Sequence, residues 1–174
     1  MKNIFLTGKP GVGKTTLILK ILKELDLKAG GFYTKEIREG TARVGFAITN
    51  LKGETKTFAH VKFRSNYRVG KYRIDLAVLE QIGIKAIEEG ISKKQLIIID
   101  EIGKMELYSD KFQKAVIKAL DSKSPVLGTI TKSQLPFVKK VKSRKDVKVI
   151  EVTEGNRNEL VDIIKAQILA NQNL

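Results

Sequence analysis

The stretch Gly8-Lys9-Pro10-Gly11-Val12-Gly13-Lys14-Thr15 decides how this sequence is read. Its spacing is G-x-x-x-x-G-K-[ST], that of a phosphate-binding P-loop. Each part has a physical reason. Glycines let the backbone turn its N–H groups inward around phosphates, and a helix opening near Gly13 adds its positive N-terminal end. Lys14 then reaches the β- and γ-phosphates, and Thr15 offers its hydroxyl to Mg²⁺. With Thr16, the run from Gly8 forms the candidate nucleotide-binding segment. The flanks give the context the motif requires. Ile4-Phe5-Leu6 reads as a buried strand, and Leu17, Ile21 and Leu25 recur at helical spacing.

The second half of such a site is an acidic residue at the end of an apolar strand. Leu96-Ile97-Ile98-Ile99 is the most apolar run in the chain and ends in Asp100-Glu101. Asp100 is the candidate second contact for Mg²⁺, directly or through water. Glu101, one residue further, is the candidate general base that polarises an attacking water.

Working outward, Phe32 to Arg38, Arg43 to Thr49 and Glu54 to Val61 are separated by the turns Glu39-Gly40 and Lys52-Gly53. We read residues 31–61 as an antiparallel meander extending the sheet. The basic segment Arg64 to Arg73 lacks a period and reads as a loop. Asp75 caps a helix carrying Leu76, Leu79, Ile82, Ala86 and Ile87, which Gly90 is expected to end. Ser109 or Asp110 caps the next helix, Pro125 to Ile130 is a strand, and residues 132–145 are a loop with a short helix. Val147 to Val152 is the last strand. Asn156, with Glu159 three residues on, is expected to cap a C-terminal helix whose apolar stripe is Leu160, Ile163, Ile164 and Ile168. Strands alternating with helices predict an α/β fold of three layers, a mostly parallel central sheet covered on both faces.

The length of 174 residues suits one domain spanning the chain. With 42% apolar and 30% charged residues, the composition is that of a soluble globular protein. No run approaches the ~20 apolar residues of a membrane span, and no signal-peptide pattern precedes the P-loop, so the cytoplasm is the expected location. The absence of cysteine excludes disulfides, thiolate metal sites and thiol catalysis. A single histidine, His60, excludes a multi-histidine metal site and reads as an ordinary structural or surface residue. Net charge is +14, from 33 Lys and Arg against 19 Asp and Glu, so the surface attracts anions. Nucleotide phosphates use only a few of those charges, which keeps nucleic acid open as a second partner; a Lys-rich surface of the kind found in proteins from hot environments is the alternative.

The run Asp100-Glu101-Ile102-Gly103-Lys104-Met105-Glu106-Leu107 resembles a signature of the small bacterial and archaeal nucleoside triphosphatases related to the animal cancer-related nucleoside triphosphatase. Gly30-Gly31-Phe32-Tyr33-Thr34 with Glu36 and Arg38, Val44-Gly45-Phe46, Arg68-Val69-Gly70-Lys71-Tyr72 with Asp75, and Val152-Thr153-Glu154-Gly155-Asn156-Arg157 resemble the same family in the same order. The resemblance implies an extra strand between the P-loop strand and the Asp100 strand, and a catalytic Glu after the metal Asp. It further implies hydrolysis of several nucleoside triphosphates, ATP, GTP, CTP and UTP among them, with loose base selectivity. The sequence adds that the Asn-Lys-x-Asp guanine reader is absent. Asn156 and Arg157 are candidates for base contact, an N-cap being the plainer role of Asn156. Arg68 is the favoured arginine finger among Arg64, Arg68, Arg73, Arg144 and Arg157, with Lys104 a comparable candidate. A nucleoside or nucleotide kinase, using residues 64–73 as a lid, and a nucleotide-switched nucleic-acid-binding protein remain the alternatives.

Overall fold

The structure is a computed structural model and describes residues 1–172. In chain order its elements are β1 (Asn3–Thr7), α1 (Lys14–Glu24), β2 (Ala29–Glu39), β3 (Ala42–Asn50), β4 (Thr55–His60), β5 (Arg68–Val69) and β6 (Tyr72–Ile74). Then follow α2 (Leu76–Val78), α3 (Lys85–Ser92), β7 (Leu96–Ile102), α4 (Asp110–Asp121), β8 (Val126–Ile130), α5 (Pro136–Lys142), β9 (Val147–Glu151) and α6 (Glu159–Gln172). A π-helical stretch, Leu79–Ile84, joins α2 to α3, and a 3₁₀ turn, Glu106–Tyr108, precedes α4.

All nine strands join one sheet in the order β5-β6-β4-β3-β2-β7-β8-β1-β9. Strands β2, β7, β8, β1 and β9 run parallel to one another. The extra strand expected between the P-loop strand and the Asp100 strand is β8. The central strands alternate strictly between two covered faces. Ile4, Leu6, Leu96, Ile98 and Leu127 pack with Leu17, Ile18 and Ile21 of α1 and Leu160, Ile164 and Ile168 of α6. Phe5, Ile97, Ile99 and Val126 face the other way, onto Leu79, Ile82 and Ile87 and onto Phe112, Val116 and Leu120 of α4. Burial on both sides is why these strands read as unbroken apolar runs.

The meander is present, and its first strand has two partners. Ala29 to Tyr33 of β2 pairs in parallel with β7, while the strand pairs antiparallel with β3 from Phe32 to Glu39. It therefore projects beyond β7 and carries β3 and β4 past the end of the parallel sheet.

Four local expectations are corrected. Residues 64–73 are not all loop, because β5 and β6 form a hairpin on the sheet edge, Tyr72 being buried against Phe46 at a ring separation of 5.1 Å. Strands of two and three residues are too short to display a period. Gly90 does not end its helix, which runs to Ser92. It is instead where helix and strand touch, since a Cβ on Gly30 would lie 2.7 Å from Gly90 Cα. Asn156 is not the cap of α6. Its side chain accepts from Thr153 N–H at 2.8 Å and donates to Glu151 O at 2.9 Å, so it braces the loop after β9. Ile163 is exposed, and Val161 takes its place in the core. Of the two candidate caps for α4, Ser109 serves, its Oγ accepting from Phe112 N–H at 3.1 Å. Asp75 Oδ1 accepts from Ala77 N–H at 3.0 Å, as the sequence implied.

Candidate active site

The site lies where β1, β7 and β8 end, in a cleft of about 430 Å³ lined by the P-loop, Asp100, Glu101 and Thr129, with residues of β2 and β3 forming the far wall. Sequence dictates the near wall locally. Gly11 and Gly13 have left-handed backbone, φ 77° and 101°, which a side chain disfavours. Gly13 then starts α1, its carbonyl accepting from Leu17 N–H at 2.9 Å. Lys14 Nζ arches back over the loop and donates to Gly8 O at 3.1 Å and Lys9 O at 2.9 Å. These are weak neutral acceptors that a phosphate would outcompete.

Opposite, Thr15 Oγ1 donates to Asp100 Oδ2 at 2.7 Å, and Thr129 Oγ1 of β8 donates to Asp100 Oδ1 at 2.6 Å. Asp100 is only 2% exposed, and burial pushes its carboxyl above the ordinary carboxylate range against the pull of these hydrogen bonds. Thr15 and Asp100 oxygens suit a divalent cation. Neighbouring positions of an octahedral shell at about 2.1 Å place two oxygens roughly 3 Å apart, close to the Thr15–Asp100 separation. Among the described residues no group of three or more His, Asp or Glu forms a closed metal cage. A pair of oxygen donors of this kind, one carboxylate and one hydroxyl, suits a cation that keeps water and phosphate ligands.

Glu101 follows Asp100 through a cis peptide bond. Its carboxyl is raised by burial and then by the Asp100 charge, with Lys14 pulling it down. Glu106, on the 3₁₀ turn, has its Oε2 accepting from Gly103 N–H at 3.1 Å. A Cβ on Gly103 would sit 3.0 Å from that oxygen and 3.2 Å from Glu101 Oε1, so the two carboxyls closely flank one glycine, and a side chain there would have to displace them. Burial, and next the Glu101 charge, pushes Glu106 up to about 8.

That shift has a thermodynamic consequence. The folded protein binds the Glu106 proton more tightly than the unfolded chain, so this group's contribution to stability is complete below the ordinary Glu pKa. It is lost as pH rises from there through about 8. Glu106→Gln retains an acceptor for Gly103 N–H and cannot ionise. Its Tm should gain on the parent as pH rises from 5 to 8, by on the order of 5–10 °C. Parallel Tm-versus-pH curves for the two proteins would contradict this.

The structure brings together Gly8 to Thr16, Asp100 and Glu101, and leaves other candidates apart. Arg68, the favoured arginine finger, is placed outside the cleft. It lines a different cavity with Lys104, Leu107, Tyr108 and Phe137, and its carbonyl accepts from Tyr108 Oη at 2.9 Å. Lys104 lies there too. Arg73 donates to Ser65 O, and Arg144 is paired with Asp121 and Asp146. Arg157 does reach the P-loop, Nη1 lying 3.4 Å from Val12 O. The cleft residues that sequence reading missed are Thr129 and Arg43, while Thr34, Glu36 and Phe46 figured there only in the family-like motifs and without a site role. For Thr129 the usable signal was a polar residue near the C-terminal end of an otherwise apolar strand.

The NTPase family model matches residues 3–165. The chain belongs to the NTPase family. This NTPase is 50% identical over 169 residues to the nucleoside-triphosphatase THEP1 of Thermotoga maritima, covering 97% of each chain. It is 39% identical to the human cancer-related nucleoside-triphosphatase, over 94% of this chain and 95% of the human one. The crystal structure of THEP1 from Aquifex aeolicus superposes on the NTPase with a TM-score of 0.87 at 37% identity, covering 95% of this chain and 98% of that one. The solution structure of the human protein gives a TM-score of 0.83 at 38% identity, covering 98% of both. The fold is thus the P-loop α/β fold of these structures. Among the described residues no helix is long and apolar enough to cross a membrane.

Proposed function

We propose that this protein hydrolyses nucleoside 5′-triphosphates, ATP, GTP, CTP and UTP alike, to nucleoside diphosphate and phosphate with Mg²⁺. The observation that carries this reading is the adjacency of Asp100 and Glu101 in the cleft that contains Lys14 and Thr15. The backbone N–H groups of the Gly8 to Thr16 segment, Pro10 having none, and the Lys14 ammonium hold the β- and γ-phosphates. Thr15 and Asp100 hold Mg²⁺, which when bound neutralises phosphate charge. Glu101 accepts a proton from water while the water oxygen bonds to the γ-phosphorus. The bond from that phosphorus to the β–γ bridging oxygen breaks, and the diphosphate leaves with the electron pair.

Burial of Glu101 supports the assignment, because a carboxylate raised toward neutrality is a better proton acceptor. Loose base selectivity is supported by the missing Asn-Lys-x-Asp element and by the bracing role of Asn156, which leaves Arg157 as the candidate on the nucleoside side. The names of the relatives point the same way.

The test is phosphate release with each of the four triphosphates. We expect release from all four, with rates within about tenfold because hydrogen bonds to the base contribute little, and loss of release when EDTA removes Mg²⁺. Transfer of the γ-phosphoryl group to an added nucleoside or monophosphate, with no phosphate released in its absence, would instead make the protein a kinase.

A further inference from the structure

The meander's place in the cleft has a chemical content that the P-loop and the Asp100-Glu101 pair do not supply. Among the described residues, Lys14 and Arg43 are the two cations lining the cleft. Lys14 belongs to the phosphate-binding loop, and Arg43 comes from β3 on the wall built by the meander. The guanidinium is held on several sides. Nε donates to Tyr72 Oη at 2.9 Å and Nη1 to Glu36 Oε1 at 2.8 Å, while its carbon lies 5.2 Å from the Phe46 ring centre and 5.7 Å from that of Tyr72. Glu36 lines the same cleft and accepts from Arg38 as well. Nη2 makes no hydrogen bond among the described residues.

Charge explains the arrangement. In phosphoryl transfer, negative charge spreads over the equatorial oxygens of the moving group, and a rigid fork of donors stabilises it better than a mobile ammonium. Resting on the hydrolase reading above, the geometry points to Arg43 as the catalytic arginine, supplied within the chain, that contacts the γ-phosphoryl group opposite Lys14. Tyr72 and the two aromatic faces position it, and Glu36 is an anionic placeholder that keeps the fork at the cleft until phosphate oxygens compete for it. The role passes from Arg68, in its separate cavity, to an arginine on the meander. Pairing with Tyr72 and Glu36 raises the already high Arg43 pKa, so the charge is permanent.

The experiment compares the parent protein with Arg43→Ala and Arg43→Lys in phosphate release, ATP and ADP affinity, and affinity for ADP with aluminium fluoride, a mimic of the transferring group. Arg43→Ala should lose roughly 10³-fold in kcat, bind ADP, which lacks the γ-phosphoryl group, within about threefold of the parent, weaken ATP binding far less than it lowers kcat, and lose the tight aluminium fluoride complex. Arg43→Lys keeps the stem and charge, and so the fold, but should show most of the same loss because the fork is gone. Added guanidinium ion should restore part of the alanine variant's rate. Normal kcat and aluminium fluoride affinity in folded Arg43→Lys would overturn the proposal. So would a loss shared equally by ADP, ATP and the mimic, since that describes a strut between β3 and β6. Absence of phosphate release from the parent protein would overturn the hydrolase reading itself, and Arg43's role with it.

Discussion

Glu101→Gln should lower kcat by roughly 10²- to 10⁴-fold, the range attributable to a positioned general base, while ATP still binds. Gln has the shape of Glu and no basic carboxylate, so water reaches the γ-phosphate without a group to take its proton. Affinity should hold or improve, because the substitution removes a negative charge beside Asp100 from a cleft that receives a polyanion. For the same reason the variant should be no less stable than the parent, as desolvation and the Asp100 charge raise the cost of ionising Glu101, whose own charge raises that of buried Glu106. Single-turnover phosphate release and titration with a fluorescent ATP analogue separate the two quantities. Unchanged turnover would remove Glu101 as the base, and a parallel loss of affinity would make it a binding residue.

Gly31→Ala should be the most damaging small substitution in the fold, costing on the order of 4 kcal/mol or more. Gly31 sits on β2 at φ 101°, opposite Ile98 of β7. A Cβ there would lie 2.0 Å from Ile98 O and 2.8 Å from Ile98 N, both backbone atoms of a fully buried residue on a central strand. Relief would require parting β2 from β7, the junction that joins the meander to the parallel sheet and carries Thr34, Glu36 and Arg43 to the cleft. Urea unfolding measures the loss, and a change below about 1 kcal/mol, the ordinary effect of a point substitution, would show that the junction is soft. Gly53→Ala is an informative contrast. That residue also has a left-handed φ, 91°, but nothing lies within 4 Å of its missing Cβ, so only the local backbone cost applies.

Much of the frame was legible because its signals are local. The alternating burial of Ile4, Phe5 and Leu6, and of Leu96 to Ile99, follows from a pleated strand covered on both sides. The Gly8–Thr15 turn follows from backbone freedom at fixed positions within eight residues. Errors arose where a side chain had more than one possible partner. Asn156 has the right type and spacing for a cap, yet the carbonyl of Glu151 and the N–H of Thr153 claimed it first. Gly90 resembles a helix terminator, but what it serves is the close passage of Gly30. Arg68 lay in a basic stretch without period, and nothing local distinguishes a loop that reaches a phosphate from a hairpin that closes a sheet edge.

By itself, then, the sequence determined the glycine-rich P-loop turn, the acidic pair at the end of the most apolar strand and the layered α/β plan. In each, the deciding interactions lie within one element or its covalent neighbours. Tertiary structure decided the rest of the cleft. Thr129 meets Asp100 only because β8 lies between β1 and β7. Arg43 meets the cleft only because β2 pairs first with β7 and then, beyond its end, with β3. Strand order and register are set by burial summed over the sheet, and no short stretch of residues carries that sum.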